Sequence, residues 1–234
     1  VVFDGGLPER RMELLETYKA QRPSMPDDLR SQLPLISRYL KLAGINSVRI
    51  EGEEADDVMA TLAEKALAEG AEKVMLATSD KDMYQIVSSR IFLVAPTGDN
   101  EAMGAEEVEA KTGVGPGKIV DWLALVGDSA DNIKGVRGIG PKTAAKLLNR
   151  FGDIDALYSR LEEIESERLR ASLEADREKV LRNIDLMRLD TAVDIDFSFK
   201  SMEVANPDSS RLLQFFEKLE FKRMARELRE PRLF

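Results

Sequence analysis

The chain has neither cysteine nor histidine among its 234 residues. Without thiols there is no disulfide and no thiolate nucleophile. Without imidazole there is no Ser-His or Cys-His couple and no zinc centre of the Cys/His kind. Any catalysis must therefore run on carboxylates, lysines, hydroxyls or a bound metal ion. Long apolar runs are missing too: none approaches the ~20 residues needed to cross a bilayer, and membrane insertion is not expected. The first residues, VVFDGG, lack the basic, apolar and small-residue blocks of a secretory signal, so a cytoplasmic location is expected.

What is present is ordinary globular composition, 43% hydrophobic and 33% charged, over a length that suits one large domain or two smaller ones. Net charge is −9. An acidic average argues against nucleic acid, whose phosphates attract Lys and Arg. The charge is segregated, however. Residues 133–150, IKGVRGIGPKTAAKLLNR, carry Lys134, Arg137, Lys142, Lys146 and Arg150 and no acid, which keeps nucleic acid open as a partner.

Short β-type runs alternate with helical periodicity through the first half. Strands are expected at 1–3, 47–50, 73–77 and 91–94, and helices at 9–20, 27–43, 55–69 and 81–88. Such alternation predicts an α/β unit, a mainly parallel sheet flanked by helices. From about residue 105 the pattern becomes helices punctuated by Gly and Pro, including a long charged helical stretch at 155–189. A late extended segment, AVDIDFSF, and a final amphipathic helix at 209–230 follow. The expected organisation is an α/β core over 1–104 and a helical subdomain over 105–234.

Acids cluster where these strands end. Asp4 follows VVF. Glu54, Asp56 and Asp57 follow SVRI, in a stretch where residues 51–57 hold five carboxylates, and Asp80 and Asp82 follow KVMLATS. Ligands of parallel sheets bind beyond the carboxyl ends of the strands, so three strands are expected to deliver carboxylates to one edge of one sheet. Asp128 and Asp131 in WLALVGDSADN are spaced to share one face of a turn. Crowded carboxylates repel or protonate unless cations sit among them, and oxygen-only ligation suits Mg2+ or Mn2+. Taken singly, each cluster has a plainer reading. Acids in a first helical turn complement the dipole, SDKD can be a turn and cap, and Asp128 and Asp131 can be turn formers. The coincidence of four clusters is what the plainer readings leave unexplained.

In GVRGIGPKTAAKLL, Gly135, Gly138 and Gly140 surround a turn, and Pro141 can open a helix from which Lys142 and Lys146, four apart, project on one side. Glycines let backbone amides approach a phosphate, and a helix N-terminus adds partial positive charge. This is the form of a grip on phosphate backbone that reads shape rather than bases. A glycine-rich helix connection with a solvated lysine face is the plainer alternative.

The motifs VVFD, YKAQRP, EEADDV, TSDKDMYQ and VGDSADNIKGVRGIGPKTAAKLL, in this order and spacing, resemble the structure-specific 5′ nucleases. That family comprises the 5′-to-3′ exonuclease domain of bacterial DNA polymerase I, its phage relatives and the flap endonucleases. The resemblance implies a PIN-like nuclease core with a helical arch, followed by a helix-three-turn-helix DNA-binding subdomain. It implies a two-metal phosphodiesterase acting on 5′ flaps and duplex ends in replication and repair. The metal ligands implied are Glu54, Asp56, Asp57, Asp80, Asp82, Asp128 and Asp131, with Asp4 and the arch residues Arg11 and Lys19 at the reacting phosphate. DNA contacts are implied at Arg22, Lys134, Gly135, Arg137, Gly138, Gly140, Lys142, Thr143 and Lys146, with K+ held by carbonyls of the helix-three-turn-helix.

The implied partners are flapped or duplex-ended DNA and a DNA polymerase, fused or separate. The chain is expected to be monomeric and nucleoid-associated. The family also carries an Asp-Gly pair on a strand upstream of VVFD, where this sequence starts, so a ligand carboxylate is expected to be lacking. The rival expectation is accordingly a structure-specific DNA-binding module that does not cut.

Overall fold

The computed structural model describes residues 1–98, 101–196 and 198–230. Its first half is built from β1 (Val2–Phe3), α1 (Glu9–Leu14), α2 (Asp27–Leu42), β2 (Val48–Arg49), α3 (Ala55–Ala68), β3 (Val74–Ala77), a 3-10 turn (Lys81–Ile86), β4 (Ile91–Val94) and β5 (Ala102–Met103). The second half contains α4 (Ala105–Thr112), α5 (Ile119–Val126), β6 (Gly127–Asp128), β7 (Ile133–Lys134), α6 (Pro141–Phe151), α7 (Ile154–Ser159), α8 (Glu167–Ala175), α9 (Arg177–Met187), α10 (Phe199–Met202), α11 (Ser209–Lys218) and α12 (Lys222–Arg229).

The fold is α/β followed by helices, as expected, but the strands do not form one sheet. Among the described residues β1 pairs β2 in parallel, β3 pairs β4 in parallel with β5 added antiparallel, and β6–β7 is a separate antiparallel hairpin. Each of β1 and β2 is two residues long, and among the described residues each pairs with no other strand. Helix α3 packs against both β1 and β3 and so spans the two ladders.

One apolar cluster joins the two halves. Met83 and Leu93 from the strand unit pack in the same core as Leu123, Leu125, Leu148, Leu157 and Leu186 from the helices. Helix α5 is apolar on nearly every face and buried to match. Burying each such side chain contributes roughly 1.5–3 kcal/mol, so the helical half is held to the strands by the core rather than by a linker.

Several helices are shorter than periodicity predicts. The helix expected at 9–20 stops at Leu14, because residues 17–22 turn back onto the loop after β6: the Lys19 N–H donates to Asp131 O (3.1 Å) and the Asn132 amide to Thr17 O (2.8 Å). The stretch 155–189 is three helices, with Ser166 capping α8 through the Leu169 N–H and α9 beginning after Asp176. The last helix breaks between α11 and α12 at Glu220, which adopts φ +58°. The segment 192–199 forms no strand in its described part, and Phe197 lies outside the described residues.

Candidate metal centre and nucleic-acid interface

The ends of β1, β2 and β3 converge although the ladders are separate. Asp4 follows β1 and accepts from the Gly6 N–H (3.0 Å). Glu54 sits at the N-cap position of α3, and Asp56 lies in its first turn. Asp80 caps the 3-10 turn by accepting from the Asp82 N–H (3.0 Å), which aims Asp82 inward. Asp128 ends β6, and its carboxylate accepts from the Ala130 N–H (2.7 Å). These five residues, Asp82 and Asp131 line one cavity of about 160 Å³. Asp82, Asp128 and Asp131 each present a carboxylate oxygen within 4.8 Å of the others.

Seven carboxylates thus face four basic groups in the cavity, Arg11, Lys19, Arg22 and Lys81. On one wall Lys19 is ion-paired to Glu54 and lies 3.6 Å from Asp131, while Arg22 reaches Asp131 at 2.5 Å. The buried Tyr18 hydroxyl donates to Glu54 (3.1 Å). Burial, then the charges of Glu54 and Asp131, push its phenol above the usual tyrosine range, so it remains a donor. On the other wall Lys81 pairs with Asp128 at 2.5 Å and lies 3.7 Å from Asp82.

The acids respond according to their partners. Burial raises the Asp82 carboxyl; Lys81 opposes this, Asp80, Asp128 and Asp131 add to it, and the result is about 7. Burial, followed by Asp80, pushes Asp56 up to about 6. Burial would raise Asp128 also, but the bonds from Lys81 and the Ala130 N–H outweigh it and hold the group below the ordinary aspartate range. Glu54 and Asp57 are tolerated in the acid-rich stretch 51–57 because their charge is met by arginine and lysine rather than by the helix dipole alone.

Two residues lie elsewhere than expected. Asp57 does not line the cavity: it is fully buried, bound to Arg11 at 2.5 and 2.9 Å, to Arg10 at 3.0 Å and to the Asp190 N–H at 2.7 Å. Its oxygens are taken by these donors, and, unlike Glu54, which is also paired but lines the cavity, Asp57 does not border it. Arg11 borders the cavity but is 3% exposed, held against the acids rather than set in an open arch. Its guanidinium holds Glu54 and Asp57 and donates to Leu186 O (3.0 Å) and Arg188 O (3.2 Å), so it ties α1 and α3 to the end of α9. Arg10, Tyr18 and Lys81 were not singled out by the acid pattern. Their only signal is adjacency, in the ERR run, in YKAQR and in SDKD.

The basic segment is the turn between β7 and α6 and the first half of α6. Lys134, Arg137, Lys142 and Lys146 are exposed, and Thr143 is half-buried. Gly138 adopts φ +83° with open space at its Cα, and Gly140, the N-cap residue of α6, is also open. Gly135 is different. A Cβ there would strike Val126 O, and one at Gly127 would strike the Gly135 N–H. Internal backbone packing therefore requires glycine at 135.

Comparison with known proteins decides the lineage. Residues 1–113 match the model of the 5′-3′ exonuclease N-terminal resolvase-like domain, and residues 114–210 match that of the 5′-3′ exonuclease C-terminal SAM fold. The chain belongs to the 5′-3′ exonuclease family. It is 40% identical over 228 residues to the 5′-3′ exonuclease of Aquifex aeolicus, covering 97% of this chain and 77% of that protein. It is 39% identical to the thermostable DNA polymerase I of Thermus filiformis, covering 97% of this chain but 27% of the polymerase. Among solved structures, the T5 D15 protein co-crystallised with metal ions superposes with TM-score 0.69 at 21% identity, covering 98% of this chain and 84% of that one. The catalytic core of Rad2 in complex with DNA superposes at 0.65 and 20% identity, covering 100% and 79%. The fold of the family, a resolvase-like α/β unit followed by a helical SAM unit, is the fold described above.

Proposed function

We propose that the chain is a divalent-metal-dependent 5′-3′ exonuclease and 5′-flap endonuclease acting on DNA. The observation that carries this reading is the meeting of Asp82, from the 3-10 turn after β3, with Asp128 and Asp131, from β6 and the loop after it, within 4.8 Å in an oxygen-only donor set of two buried carboxylates and one half-buried one. Asp82 Oδ1 is buried and has no hydrogen-bond partner, as a ligand oxygen would be. The donor set fits Mg2+ or Mn2+. Asp82, Asp128 and Asp131 would hold the first ion, and Asp4, Glu54, Asp56 and Asp80, on the same cavity, would place a second. Bound there, divalent ions supply Lewis-acid stabilisation of phosphoryl oxygens and a more acidic water.

The protein's own groups then have distinct tasks. Lys19 and Arg22 bring positive charge to the cavity beside Glu54 and Asp131, where they can offset charge developing on the phosphate. Tyr18 and Arg11 fix the Glu54 carboxylate by donating to it. Asp57 serves Arg11 and is a positioning group in this reading, not a ligand. Lys134, Arg137, Lys142, Thr143 and Lys146, with the open backbone at Gly138 and Gly140, would hold duplex phosphates, and K+ would sit on carbonyls of the same turn.

The division into a core over 1–104 and a helical subdomain over 105–234 is retained as a proposal beside the family boundary at 113/114. So are a monomeric state and a nucleoid location. The relatives that are DNA polymerase I make a polymerase, fused or separate, the partner to look for. The test is cleavage of a 5′-flap DNA with Mg2+, repeated with Asp82→Ala. A product bearing a 5′-phosphate, lost in the variant, supports the reading. Binding without any product would instead support a non-cutting DNA-binding module.

A further inference from the structure

Arg137 belongs to the basic turn before α6 and also lines a second cleft, shared with Arg168, Ala171, Ser172, Ala175 and Asp176 of α8 and its C-terminus. Among the described residues neither guanidinium has an ion-pair or hydrogen-bond partner, and the Ser172 hydroxyl has none either. The single acid of the cleft is already engaged: Asp176 binds Lys179 at 2.6 Å and accepts from the Arg137 N–H at 3.2 Å. Lys179, then burial, then the Arg137 N–H act on its carboxyl, and the net effect is to hold it below the ordinary range. Two free cations and a hydroxyl therefore face solvent across a floor made of alanine, which leaves room for a bulky anion.

We propose that this cleft is a second phosphate-contact site, through which α8 extends the grip on a duplex DNA arm beyond the β7–α6 turn. The proposal rests on the DNA reading above. Guanidinium pairs suit phosphate because their N–H forks can hold two oxygens at once. Small side chains at Ala171 and Ala175 let a sugar-phosphate strand come close to the helix. The chemistry reads backbone, not sequence, so the site is indifferent to base identity. Because Arg137 faces both the turn and the cleft, the two contacts lie on one continuous path. Nothing in the spacing of the charged stretch 155–189 sets Arg168 apart from its neighbours; α8 brings it to Arg137.

The full chain is tested by fluorescence anisotropy with 5′-flap DNA whose duplex arm is progressively shortened. Arg168→Ala should weaken binding to the long-armed substrate by roughly three- to tenfold and reduce the slope of log Kd against log salt by about one. Arg168→Lys should restore the salt slope, since the charge is kept, but only part of the affinity, since an ammonium has no fork. Ala171→Glu, an exposed change compatible with the helix, should weaken binding further. The difference between wild type and Arg168→Ala should vanish once the arm no longer reaches α8. Equal affinity and salt slope for wild type and Arg168→Ala on the long arm, with wild type binding, would overturn this site alone. A loss in Arg168→Ala that is independent of arm length would overturn it as well. Absence of any wild-type binding would remove the DNA reading and this site together.

Discussion

Replacing Arg11 by Met keeps the side-chain bulk and removes the charge, and the consequence can be worked from the geometry. Arg11 is buried against Glu54, 3% exposed, and Asp57, fully buried, and also satisfies two backbone carbonyls of the α9 end. Removing one partner of a buried ion pair costs about 3–5 kcal/mol, since the surviving charge stays out of water. Here Arg10, 3.0 Å from Asp57, the Asp190 N–H and Lys19 on Glu54 still offset part of that charge, so the low end, about 3 kcal/mol, is expected. For a chain of this size that is a fall in Tm of roughly 6–12 °C.

Urea unfolding followed by circular dichroism, without divalent metal, is the assay. A deficit under about 1 kcal/mol would refute the argument that Arg11 neutralises a buried acid pair.

Other outcomes follow from the same geometry. Burial holds Asp82 at about 7 and Asp56 at about 6, both above the unfolded value, so their contribution is present at low pH and lost as pH rises through that window. Asp82→Asn should accordingly stabilise the metal-free chain at about pH 8, on the order of 3 kcal/mol, while abolishing cleavage. Melting in EDTA shows the first effect and a flap assay the second. Lys19→Ala should slow cleavage by roughly a hundred- to a thousandfold at saturating Mg2+, the effect of losing a positioned charge donor, read in single-turnover kinetics. Gly135→Ala should lower stability by roughly 1–3 kcal/mol, because its Cβ would strike Val126 O and displace the loop that carries Asp128, measurable by thermal melting.

What local chemistry dictates was legible along the chain: acid runs after apolar strands, glycines at turns, Pro141 opening α6 and the acid-free basic stretch could all be read from spacing, while the family came from the resemblance those motifs carry. Tertiary packing decided what each acid does. Asp56 and Asp57 are adjacent in sequence, yet one faces the cavity and the other is closed off by Arg10 and Arg11. Periodicity could not separate them, because the deciding partners lie 46 residues away for Arg11 and 133 for the Asp190 N–H. Packing likewise split the expected sheet into two ladders and ended α1 early so that Tyr18 and Lys19 could reach Glu54. It also set Arg168 beside Arg137. A side chain's local preference is written in its neighbours along the chain, whereas its charge balance depends on groups brought near only by the folded core.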